Sequence, residues 1–85
     1  ILWIEADKAY SKLWLCNGEM QLICKNIGQL EDFLAEYGFV RVHKSSLINK
    51  LYIASYIKSD RVIILKHADK ELEIPVATRF DLNQL

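Results

Sequence analysis

Apolar positions in this chain recur mostly at every second residue, the period of a strand with one face buried. Residues 10–15 alternate, with Tyr10, Lys12 and Trp14 on one face and Ser11, Leu13 and Leu15 on the other, and the apolar, β-prone Leu2-Trp3-Ile4 precedes them. Asp7-Lys8-Ala9 forms a short loop between these stretches. Asn17-Gly18 then follows, a pair that tolerates the positive φ of a type I′ turn, so residues 19–25 are expected to return antiparallel to residues 10–16. Next the period changes: Ile27, Leu30, Phe33, Leu34 and Tyr37 recur at spacings of three and four. With Asn26 as N-cap and Gly38 as a left-handed terminator, this predicts one helix with Glu31, Asp32 and Glu36 on its wet side.

Beyond Gly38 the strand pattern resumes. Phe39, Val40 and Val42 carry strand propensity over residues 39–43, and residues 45–51 read as a compact turn or short helix. Further strands are expected over 53–58, 61–67 and 71–76, separated by turns at Ser59-Asp60 and Ala68-Asp69. Pro75 has no N–H to donate and suits a strand end or sheet edge, after which residues 77–85 are expected to form a frayed terminal helix. The fold class is therefore mainly β, a β-rich α+β domain of antiparallel sheets with one packed helix. Trp3, Trp14, Phe33, Phe39 and Tyr52 are assigned to its core.

Size and composition narrow the options. Eighty-five residues make one small domain, near the lower limit for a self-sufficient hydrophobic core. No apolar run approaches the roughly 18 residues of a membrane span, and no leader sequence is visible. Cys16 and Cys24 would be cross-strand neighbours only in a suitable hairpin register, and two cysteines do not make a disulfide scaffold. They read as reduced, small, buried hydrophobes. The two histidines lie far apart and offer no metal-ligand spacing, so no metal or cofactor is expected.

The formal net charge is zero, yet the charge is unevenly placed. Between Val40 and Lys66 the cations Arg41, Lys44, Lys50, Lys58, Arg61 and Lys66 face the single anion Asp60, and the rest of the chain balances that surplus. A polarised molecule of this kind presents a basic face to phosphates and turns its acidic face away. The acidic outer side of the helix makes it unsuited to a DNA groove, where carboxylates would meet phosphates. Neither a nucleophile placed beside a histidine and a carboxylate nor a glycine-rich phosphate cradle occurs at a recognisable spacing, so the chain does not read as an enzyme.

Residues 39–49 read Phe-Val-Arg-Val-His-Lys-Ser-Ser-Leu-Ile-Asn, a strand running into a cluster of cations, hydroxyls and an amide. This segment resembles the hallmark of the LytTR-type DNA-binding domain. Trp3-Ile4-Glu5-Ala6-Asp7 with Tyr10, the segment around Ile53, and Ile74-Pro75-Val76 before Arg79 fall in that family's order, so the resemblance covers nearly the whole chain. It implies an elongated β fold whose loops at one edge enter successive major grooves. Three segments would supply the contacts: Tyr10, Ser11 and Lys12; His43, Lys44, Ser45 and Ser46; and Thr78 with Arg79. The base readers it implies are Ser11 or Lys12, Lys44 and Arg79, with Lys12 favoured over Ser11 for reach. Lys44 stands where the family commonly has Arg or Asn. Arg41 is read as bracing the sheet, His43 as turning its ring to the backbone, and Asn49 as stabilising a turn.

The resemblance further implies the output domain of a bacterial, cytoplasmic two-component response regulator. A receiver domain would lie upstream, and the partner would be double-stranded DNA at promoter direct repeats, bound as a dimer. The family's domain usually begins about a strand earlier, so the chain reads as a fragment without that first strand. A second reading of the sequence is a β interaction module that binds a partner by strand addition, on the strength of the apolar run Val62-Ile63-Ile64-Leu65.

Overall fold

The computed structural model describes residues 1–80 and 85. Among these residues, eight strands and one α-helix are arranged as β1 (Trp3–Asp7), β2 (Tyr10–Trp14), β3 (Met20–Ile23), α1 (Ile27–Leu34), β4 (Phe39–His43), β5 (Ser46–Asn49), β6 (Ile53–Ile57), β7 (Val62–His67) and β8 (Lys70–Pro75). The strands form a five-stranded sheet of order β3-β2-β1-β5-β4 and a three-stranded sheet of order β6-β7-β8, and every pairing is antiparallel. The β-rich fold expected from the sequence is thus the fold observed.

The large sheet is the middle layer of three. On one face Ile4 and Leu47 pack with Ile27 and Leu30 of α1. On the other, Leu2, Val40, Val42 and Ile48 pack with Ile63, Leu65 and Ile74 of the small sheet. A strand in the middle of a middle layer must be apolar on both sides, which is why β5 carries Leu47 and Ile48 in succession, both fully buried. This corrects the turn or short helix expected over residues 45–51. A local reading has no access to the two covering layers that make a central strand out of Ser46–Asn49, and only the 3₁₀ turn at Lys50–Tyr52 fits the expectation.

The helix starts as the sequence predicts. Asn26 accepts from Gln29 N–H at 2.9 Å while the Gln29 side chain accepts from Asn26 N–H at 3.1 Å, a reciprocal capping box. A 3₁₀ turn over Ala35–Tyr37 carries it to Gly38, whose φ of 84° ends it in the left-handed region. Its apolar stripe is narrower than expected. At about 100° per residue Ile27, Leu30 and Leu34 fall within an arc of about 60°, and Phe33 stands roughly 90° from its centre. Phe33 and Tyr37 accordingly lie 68% and 60% exposed, with ring centroids 6.2 Å apart, so Phe33 is not core.

Three further details differ from the sequence expectations. Trp14 pairs with Met20, so residues 15–19 connect β2 and β3; Gly18 has φ 90° whereas Asn17 keeps a negative φ. With Gly18 N–H donating to Leu15 O at 3.0 Å, the connection is a turn closed by a left-handed glycine rather than a two-residue type I′ turn. Cys16 and Cys24 fall at opposite ends of this hairpin as free thiols, and Cys24 is exposed rather than buried. Finally, the run Val62-Ile63-Ile64-Leu65 lies in β7, which is paired on both sides and offers no edge for strand addition. Pro75 does end an edge strand, β8.

Replacing Leu47 by Ala is expected to cost about 2–5 kcal/mol of stability through the cavity it leaves, and Asn26→Ala about 1 kcal/mol through loss of the cap. Urea denaturation with an unchanged m-value checks both.

Candidate nucleic-acid interface

The antiparallel connections sort the loops into two ends. The β1–β2 turn, the β4–β5 turn and the segment after Pro75 gather at one end, held by backbone bonds from Ala6 N–H to Ser45 O (2.9 Å) and from Ala77 N–H to Val42 O (2.7 Å). The β2–β3 connection lies at the other end, where a Cβ on Gly18 would run into the side-chain end of Lys70, the first residue of β8. Tyr52 lies away from the loop edge, beside Cys16. Its phenol is held above the usual tyrosine value of 10.0, first by the hydrogen bond with Cys16, then by that thiol's charge and by desolvation.

At the loop edge Arg41 links the helix to the hallmark turn. Its Nη1 donates to Glu31 Oε1 at 3.0 Å and its Nη2 to Lys44 O at 2.6 Å. The half-exposed ion pair contributes little stability, up to about 1 kcal/mol, but the fork fixes the backbone from which the exposed Lys44 side chain projects. His43 braces the same turn: its Nδ1 accepts from Ser45 N–H at 3.2 Å and lies 2.9 Å from Ser45 Oγ. That assigns Nδ1 as an acceptor and leaves the proton on Nε2. Asn49 accepts from Leu51 N–H and donates to Ile1 O, stabilising the turn after β5.

Lys44 and Arg79 come together. A cleft of about 290 Å³ is lined by Arg41, Val42, His43, Lys44, Ala77, Arg79 and Phe80, so the hallmark turn and the segment after Pro75 form adjoining walls. Thr78 and Arg79 are exposed there, in a turn rather than the helix expected from residue 77; the rest of that expected helix, residues 81–84, lies outside the described residues. Arg61 holds this segment in place, its Nη2 donating at 2.9 Å to both Ala77 O and Thr78 O.

The first hairpin is arranged differently from the expectation. Ser11 is fully buried on the helix side, donating to Lys25 O at 2.7 Å just before the N-cap, and Ser46 is 3% exposed as the first residue of β5, between β1 and β4. Neither hydroxyl is open to solvent. Lys12 lies on the opposite face from Ser11, next to Glu5 in register and 4.0 Å from Asp7 Oδ2, so two carboxylates offset its charge. Its row continues through Glu5 and Ser46 to His43, three strand spacings or roughly 14 Å away. Asp7, Lys8, Ala9 and Tyr10 all face solvent at this hairpin; Tyr10 stands at the start of β2 and Lys8 at the tip with φ 57°. Lys8 went unrecognised in the sequence, where a loop lysine carries no mark of its position.

Among the described residues no three His, Cys, Asp or Glu side chains converge as a metal site requires, and no helix is long and apolar enough to cross a membrane. The edge therefore offers exposed cations and hydroxyls on a braced backbone, donors suited to phosphates and base edges. A family model described as the LytTr DNA-binding domain matches residues 1–83. The chain belongs to the LytTR DNA-binding domain family. Membership implies DNA binding in the regulation of transcription; the family is not known as enzymatic. No curated protein matches the chain.

The burial of Ser11 in this LytTR domain and its bond to Lys25 O give the hydroxyl a structural role. Ser11→Ala is expected to lower stability by about 1–2 kcal/mol, because the Lys25 carbonyl loses its partner, while DNA affinity per folded molecule stays unchanged; urea melts paired with fluorescence anisotropy check this.

Proposed function

We propose that this LytTR domain binds double-stranded DNA sequence-specifically through the loop edge, with the hallmark turn and the segment after Pro75 entering a major groove. The observation that carries this reading is the cleft shared by Lys44 and Arg79. Both side chains are exposed cations on backbones fixed from behind, Lys44 by Arg41 and Arg79 by Arg61 through the adjoining carbonyls. Lys and Arg donate to guanine O6 and N7 in the major groove, so this pair is suited to base reading. Tyr10, Lys8, His43 through Nε2, Ser45 and Thr78 lie around them and supply contacts to backbone phosphates.

Greatest extents of 34 × 30 × 23 Å allow the edge to span about one turn of B-DNA, roughly 34 Å. The domain would act as the output module of a bacterial two-component response regulator, with a receiver domain preceding it and dimeric occupancy of promoter direct repeats. The exposed carboxylates of Asp32 on α1 and Glu36 in the 3₁₀ turn after it favour this orientation, since phosphates repel them, while Glu31 is paired with Arg41.

Mobility-shift titrations against selected oligonucleotides at two salt concentrations test the reading. Specific retardation should weaken steeply as salt rises. Lys44→Ala and Arg79→Ala should each cost about 1–3 kcal/mol at the cognate site and relax base preference there. Losses of equal size on random duplex would instead make them phosphate contacts.

A further inference from the structure

The β6–β7 turn is a fourth element of the same edge, and its position follows from Arg61. This residue has φ 53° and closes the turn by donating its N–H to Lys58 O at 3.3 Å. Its carbonyl accepts from Val76 N–H at 2.9 Å, while its side chain reaches Ala77 O and Thr78 O. Backbone and side chain together bind the turn to the flank of the Arg79 segment away from Lys44. The carbonyl of Val42 holds the other flank through Ala77 N–H. Along the edge the order is therefore the Lys44 turn, the Arg79 segment, then the turn carrying Lys58 and Ser59.

We infer that Lys58 and Ser59 form a sequence-independent clamp on the DNA backbone beside the Arg79 contact, with Arg61 as the bracket that keeps clamp and reader in register. The inference rests on the proposed DNA-binding edge and extends it to a turn that lies outside the three segments already assigned. Both side chains are exposed. A four-residue turn keeps its ends within about 7 Å, so Lys58 stays close to the bracketed segment. Each strand carries a phosphate about every 3.4 Å of helix axis, so a cation held beside a groove-entering arginine meets one whatever base that arginine reads. Asp60, exposed in the same turn, confines the attraction to the Lys58 side.

Salt-dependent titration of the folded domain against its selected oligonucleotide and against random duplex tests the clamp, with thermal melting to verify folding. Lys58→Gln should weaken both complexes several-fold at low salt, keep their ratio, and reduce the salt slope by about one. Lys66→Gln serves as the control: this exposed lysine lies at the far end of β7, opposite Glu71, and its loss should leave the slope unchanged. An unchanged slope in Lys58→Gln overturns the clamp and leaves the DNA-binding edge standing. A selective loss on the cognate site overturns it too, by making Lys58 a base reader. A wild-type domain that retains no duplex in a salt-sensitive way overturns the edge itself, and the clamp with it.

Discussion

The burial of β5 between two layers is the constraint on which the edge depends. Leu47 points into the helix layer and Ile48 into the small sheet, so a slip of one residue would send each side chain to the wrong core. That locks the register of β5 against β1 and β4, with Glu5 beside Ser46 and Ser46 beside His43. The hallmark turn between β4 and β5 has no freedom to slide relative to the first hairpin. Its reach toward a partner is set by packing several residues away.

Charge at the edge is smaller than a count of cations suggests, and better ordered. Arg41 and Arg61 work inward, one tying helix to turn and the other tying a turn to the segment before Arg79. Lys12 is offset by Asp7 and Glu5. Lys8, Lys44, Lys58 and Arg79 face solvent from four separate segments of this edge. A neutral chain can therefore present a basic rim, because its guanidiniums hold the loops while its lysines and Arg79 project from them.

Much of the framework was legible locally. The capping box at Asn26, the terminator at Gly38, the strand-ending Pro75 and the hallmark all rest on interactions within a few residues, which a short window of sequence contains. Legibility failed where burial depends on distant parts of the chain. Ser11 alternates correctly along its strand, yet only the helix packed over that face removes it from solvent and gives it the Lys25 carbonyl. Phe33 fits a helical spacing, yet the stripe that α1 buries is too narrow to include it. Val62-Ile63-Ile64-Leu65 reads equally well as an exposed edge or a central strand until its two neighbours are known.

The helix with its cap and terminator, most of the strands, the β-rich class and the family were thus legible in the sequence, because each is encoded in propensities, caps and a contiguous motif. Tertiary structure decided which side chains face outward and which loops meet. Bonds such as Arg61 to Ala77 and Thr78 join residues 16 and 17 positions apart, and nothing in either stretch announces the other. An edge that gathers four connections exists only once the layers have closed, since hydrophobic packing selects the register that brings those connections to one end.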